Sequence, residues 1–156
     1  MDYIKDLRKD IGNKKILLNC AGAVIVKDGR ILFQRRADNH RWGLIGGLLE
    51  LNETYAEAAA REIREETGLE VRFTSFLGIY HNHHMEWSNG DNAHTIGAYF
   101  AAEIVGGEPR PDEESLELKF FSQEEIPELF AEDHRAVIDA YFQGVRYPLL
   151  RENSLT

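Results

Sequence analysis

Glu62, Glu65 and Glu66 stand at i, i+3 and i+4, so on a helix their three carboxylates share one face. Like charges at that spacing destabilise a bare helix by about a few tenths of a kcal/mol per pair. A hard divalent cation turns the penalty into a binding site, because Mg2+ prefers oxygen ligands and keeps positions free for water and substrate phosphate. Arg61, four residues before Glu65, is placed to hold that carboxylate and offset its charge. Three glutamates by themselves read more readily as a solvated acidic helix face. The surrounding pattern has to decide.

That pattern begins with the helix itself. Thr54 and Glu57 make a capping-box pair, and Gly68 stands where a glycine would end the helix, which predicts a helix over about 54–67. A stripe of Ala56, Ala60, Ile63 and Thr67 is expected to pack, with the glutamates centred roughly 120° away around the axis. Before it, 16–26 reads as a buried strand, Asp28-Gly29 as a hairpin turn and 31–36 as the returning strand. The stretch 37–53, with Gly43, Gly46, Gly47 and Asn52, reads as a loop. Strands are expected at 71–81 and 92–105, joined by a polar loop of His, Asn and Gly. An acidic loop up to Glu114 leads into a strand at 116–121, and an amphipathic helix at about 129–143 ends the pattern. With a short helical extension at 1–12, the chain is expected to form a single α/β (α+β) domain over 1–156.

Composition removes several alternatives. The 156 residues carry 27 acidic against 18 basic side chains, a net charge of −9, with 43% hydrophobic residues. That is ordinary globular composition. The sign of the charge argues against a nucleic-acid polymer or an anionic membrane surface as partner. Cys20 is the only cysteine, which excludes an intrachain disulfide and a cysteine-based zinc site and suits a buried, inert thiol. Residues 1–10 lack the apolar core of a signal peptide, and no apolar run approaches the ~20 residues of a membrane span, so a cytoplasmic protein is expected. The acidic excess is concentrated in 50–70, with local charge −5, and 108–117, with −4.

From Gly47 the chain reads Gly47, five residues, Glu53, seven residues, then Arg61-Glu62-Ile63-Arg64-Glu65-Glu66-Thr67-Gly68-Leu69. This resembles the signature of the Nudix hydrolases, G-x5-E-x7-R-E-U-x-E-E-x-G-U with U aliphatic, at every specified position. A chance match is on the order of 10⁻⁹ per window at ordinary residue usage. Arg35-Arg36 ending a strand, Trp42 shortly before Gly46-Gly47, and a terminal strand followed by a helix agree with the resemblance. Two positions depart from many members: Ile45 where proline is common, and Asn52 where glycine is. Asn tolerates a left-handed backbone better than other non-glycine residues, so that change is mild.

The resemblance implies a Nudix-type α/β/α sandwich with a mixed sheet between helices. It implies hydrolysis of a nucleoside diphosphate linked to another moiety, by water attack at phosphorus, with Mg2+ or Mn2+ as cofactor. Carried over by position, Glu62, Glu66 and Glu65 would ligate the metal with a carbonyl of Gly47. Glu53 would hold Arg61, and Glu114 would be the general base, with Glu113 and Glu117 as neighbours in the same acidic stretch. Arg35, Arg36 and Trp42 are candidates for substrate contact; strand alternation allows only one of the two arginines to face the site. The partner would be a small nucleotide, and homodimers are common in similar proteins. A non-catalytic nucleotide-sensing module using the same cleft is the alternative. His81, His83, His84 and His94 could bind a transition metal or substrate, or form an ordinary polar loop.

Overall fold

The computed structural model describes residues 2–155. Its centre is β1 (Ile16–Lys27), which pairs in parallel with β6 (Asn92–Gly106) along nearly its whole length. On its other edge β1 pairs antiparallel with β2 (Arg30–Arg36) near its C-terminal end and with β4 (Ile45–Leu48) nearer the middle. β5 (Glu70–Glu86) lies antiparallel to β6, β7 (Ser115–Phe121) to β2, and the short β3 (Trp42–Gly43) also to β2. The result is a seven-stranded mixed sheet.

Period-two alternation builds a core on each face. From β1 and β6, Ala21, Ala23, Ile25, Ala98 and Phe100 pack against Ala58, Ala59 and Ile63 of α2 (Tyr55–Thr67). Val24, Tyr99 and Ala101 point the other way and meet Val137 and Ile138 of α3 (Glu132–Phe142). A fully buried Ile63 contributes roughly 1.5–3 kcal/mol of apolar transfer. The alanines of α2 let the helix sit close to the sheet, with the Glu62 carboxylate against Gly47 of β4. The packed stripe differs slightly from the sequence expectation: Ala58 and Ala59 are fully buried, while Ala56 and Ala60 are only partly so.

Three expectations from the sequence need correction. Residues 37–53 contain β3 and β4. The missing Cβ atoms of Gly46 and Gly47 weaken strand propensity but permit β4 to lie tight against β1, where a methyl on Gly46 would sit 2.7 Å from the Cα of Gly22. β5 runs on to Glu86, so His81, His83 and His84 belong to a strand; the rings of His81 and His83 face His94 on β6, while His84 meets Lys15. The last helix starts at Glu132; the N–H of Phe130 instead donates to the carbonyl of Trp42 at 2.9 Å.

Two end segments embrace this sandwich. α1 (Tyr3–Ile11) is fastened by the Tyr3 N–H to Glu50 Oε2 at 2.9 Å. At the other end, Tyr147 exchanges both backbone hydrogen bonds with Phe76, and Glu152 accepts the N–H groups of Tyr55 and Ala56 at the start of α2. No helix among the described residues is long and apolar enough to cross a membrane.

Candidate active site

The helix carrying the glutamates is terminated at both ends by its own sequence. Thr54 accepts the Glu57 N–H at 3.1 Å, Glu57 returns the favour to Thr54 N–H at 3.0 Å, and Gly68 adopts the left-handed conformation at φ 73°. The turn before it depends on Asn52, which holds φ 71°. This turn brings Glu53 under the guanidinium of Arg61. Nη2 of Arg61 donates to Glu53 Oε2 at 3.0 Å while Nε faces Oε1, so the pair is bidentate. The same Arg61 reaches the Leu48 carbonyl at 3.1 Å, Glu62 Oε1 at 2.9 Å and Glu65 Oε2 at 3.2 Å. One arginine thereby links β4, the turn and two of the three helix carboxylates.

Glu66 is different from its neighbours. It is only 4% exposed, and its Oε2 has no hydrogen-bond partner. Burial first, and then the charges of Glu62 and Glu114, push its pKa well above the usual carboxylate range. Burial also raises Glu62, against the opposing pull of Arg61. Glu62 lies against Gly47 so closely that a methyl there would stand 2.5 Å from Oε1. Glu65 points outward to solvent and to Arg61.

These groups line an open cleft together with Arg36 and Glu114. Arg36 stacks over Phe130 at 4.8 Å and pairs with Asp38 at 2.8 Å. Arg35 lies on the opposite face, donating to the His40 carbonyl at 3.2 Å, and lines neither the cleft nor the cavity behind it. Trp42, expected as a substrate contact, packs edge-on against Phe121 at 5.0 Å and likewise lines neither. Its position on β3 leaves the indole half-buried against the core cluster that α3 covers. Glu113 and Glu114 border the cleft, whereas Glu117 is inside β7 opposite Arg35. The Glu114 carbonyl accepts the Ala37 N–H at 2.9 Å, which fixes the acidic loop beside Arg36.

A second cavity opens behind the cleft, sharing Arg36, Gly46, Gly47, Leu48 and Trp87 with it. Its depth is polar: Tyr99 donates to Asp133 Oδ2 at 3.3 Å, and Asp133 Oδ1 is buried without a partner. Burial and the neighbouring Asp133 push the Cys20 thiol up to about 12, consistent with an inert cysteine. His134 is kept neutral by burial and accepts the Leu44 N–H on Nδ1 at 3.1 Å. Trp87 and Asp133 escape a motif-based reading. Trp87 sits past the end of β5 in a polar stretch, and Asp133 looks like an ordinary first-turn helix acid.

The histidine cluster lies apart. His81 Nδ1 and His94 Nε2 are 2.8 Å apart, and the His83 ring is 4.5 Å from that of His94. Strand alternation points these rings away from both cavities while Asn82 lines the inner one. No group of three His, Cys, Asp or Glu among the described residues, here or in the cleft, forms a ready-made metal cage.

Comparison with known proteins agrees with this geometry. The sequence model of the NUDIX domain matches residues 17–141. An ADP-ribose pyrophosphatase of Methanocaldococcus jannaschii is 34% identical over 142 residues, covering 87% of this chain and 81% of that protein. A MutT-like protein of Streptomyces ambofaciens is 36% identical over 115 residues, covering 74% of this chain and 70% of that protein. Among solved structures, a NUDIX hydrolase from Nitrosomonas europaea shares the fold with a TM-score of 0.73 at 24% identity, covering 92% of this chain and 100% of its own. A MutT NUDIX hydrolase from Burkholderia pseudomallei superposes with a TM-score of 0.69 at 29% identity, over 80% of this chain and 97% of that one. With its complete signature on a capped helix, over the cleft that the signature's own glycine and arginine shape, the chain belongs to the Nudix hydrolase family.

Proposed function

We propose that this protein hydrolyses the pyrophosphate bond of a nucleoside diphosphate linked to another moiety, with Mg2+ as cofactor and water attacking phosphorus. The observation that carries the proposal is the buried, unpartnered Oε2 of Glu66, set beside Glu62 and across from Glu114. A carboxylate ionised in that position is costly unless a cation meets it. Glu62 and Glu66 with the carbonyl of Gly47 offer hard oxygen donors on one side of an open cleft. Such a partial shell suits Mg2+, which takes one or two carboxylates and leaves its remaining positions to water and substrate phosphate. Mn2+ shares the preference for oxygen. When bound, the cation supplies charge neutralisation on the phosphate oxygens as negative charge shifts in the transition state.

The chain's own residues do the rest. Arg61, clamped by Glu53, keeps Glu62 and Glu65 in place. Arg36 contributes a fixed cation for a phosphate oxygen, and Glu114 accepts the proton from the attacking water as general base. The inner cavity takes the nucleoside base, with Trp87 supplying an aromatic wall and Asp133 accepting from N–H groups of the base. The names of the relatives, an ADP-ribose pyrophosphatase among them, support a nucleotide substrate.

The test is turnover of a nucleotide panel with Mg2+, with products identified by mass. A nucleoside monophosphate plus the phosphorylated second half is expected from at least one member. Tight binding of a nucleotide with no turnover of any would replace this proposal with the sensing module.

A further inference from the structure

α1 lies outside the stretch that matches the family, yet Ile4, Lys5 and Arg8 line the same cleft as Glu62 and Glu66. None of the three lines the inner cavity. The helix is held there firmly. Its Tyr3 N–H is on Glu50, and the Glu50 N–H in turn donates to Glu53 at 2.8 Å, the carboxylate that clamps Arg61. At its far end Arg8 is 9% exposed and donates to the carbonyls of Gly12, Lys14 and Asn92 at 3.1, 2.6 and 2.7 Å, with Asp91 at 3.6 Å. α1 is therefore a preset wall of the cleft.

Among the described residues, the cleft is bordered by eleven carboxylates and four cations. Three of those cations already have partners within the protein: Arg61 has Glu53, Glu62 and Glu65, Arg8 has its carbonyls and Asp91, and Arg36, which meets a phosphate of the diphosphate in the reading above, has Asp38. Lys5 is the fourth. Its backbone N–H is capped by Asp2 at 3.0 Å, and its ammonium group has no hydrogen bond or ion pair among the described residues. An acidic cleft repels a polyanion, so an uncommitted ammonium on its wall marks where an anionic group is best tolerated. A lysine is a compact point charge with three donors, suited to a phosphate rather than to a neutral sugar.

Building on the hydrolase reading above, we infer that Lys5 is a specificity-determining residue. It pairs with an anionic group on the part of the substrate that leaves the diphosphate away from the inner cavity. The substrate class it favours carries a further phosphate beyond the scissile diphosphate, as nucleoside triphosphates do, over conjugates that end in a neutral sugar.

The experiment compares kcat/KM for ATP and ADP-ribose, which share adenosine and its diphosphate, in the wild type, Lys5→Met and Lys5→Glu. The expected result is a fall about tenfold larger for ATP than for ADP-ribose in Lys5→Glu, with Lys5→Met in between, and a gap that narrows at high salt. Equal falls on both substrates, or none on either, would overturn the inference. Calorimetric binding of a non-hydrolysable α,β-methylene ATP separates this from the catalytic reading. If the wild type turns over nothing, the hydrolase proposal fails, while a tenfold weaker analogue complex in Lys5→Glu still upholds the role of Lys5. Unchanged analogue binding removes it.

Discussion

Arg61 grips Glu53 with two donors across eight residues of chain, and with the same fork holds Glu62 at 2.9 Å. The turn before α2 and the acidic face of its second turn are therefore one electrostatic unit. A lysine can present its charge there but not the planar fork. Arg61→Lys is expected to lower kcat/KM by about 10–100-fold while far-ultraviolet circular dichroism stays native. A loss under threefold would show that charge alone suffices.

Gly47 is required because of what faces it. In Gly47→Ala the added methyl falls on the Glu62 carboxylate and forces it off its position. The expected signature is a rise of about tenfold or more in the Mg2+ concentration for half-maximal activity. An unchanged Mg2+ dependence would mean that Glu62 does not hold the cation.

Glu66 makes a prediction about pH and stability. Its folded pKa is raised by burial and by Glu62 and Glu114, so the folded state binds this proton more tightly than the unfolded chain does. Stability from this group is complete below the ordinary carboxylate pKa and is lost as pH rises through the raised folded value. In chelator, Glu66→Gln should therefore raise Tm relative to wild type at pH 7–8 and leave it nearly unchanged near pH 4, while abolishing Mg2+-dependent turnover. Calorimetric scans across that range check it; an equal Tm shift at both ends would assign the effect to packing.

Glu114 borders the cleft opposite the helix acids and adds its charge to both Glu62 and Glu66. Glu114→Gln should lower kcat by about 10²-fold or more if the residue is the general base. A loss below threefold would pass that role to another group.

The two tryptophans should separate cleanly. Trp87→Ala is expected to raise KM several-fold with a smaller change in kcat, since it removes a wall shared by cleft and cavity. Trp42→Ala removes a half-buried side chain that packs on the core and should cost about 1–3 kcal/mol of stability, below the ~3–5 kcal/mol of a fully buried aromatic. Denaturant unfolding and steady-state kinetics on both variants test the division, and a reversal of the two patterns would restore Trp42 as a substrate contact.

What was legible in the sequence was local. The capping box of Thr54 and Glu57, the Gly68 terminus, the left-handed Asn52 and the shared face of Glu62, Glu65 and Glu66 all follow from short-range backbone chemistry, and all stand in the structure. The spacing of Gly47, Glu53, Arg61, the three glutamates and Gly68 was enough to name the family. The strand nature of 45–48 was hidden because Gly46 and Gly47 have no side chains to show it; pairing with β1 creates that strand. Which arginine faces the cleft, which tryptophan borders it, and that Asp133 lines the inner cavity and Lys5 the cleft depend on elements far apart in the chain. No local pattern encodes such neighbours, since they arise only when α1, the end of β5 and the first turn of α3 are packed around one sheet. Even Glu66 shows the division: the motif supplied its identity, and only burial in the folded chain made its charge costly.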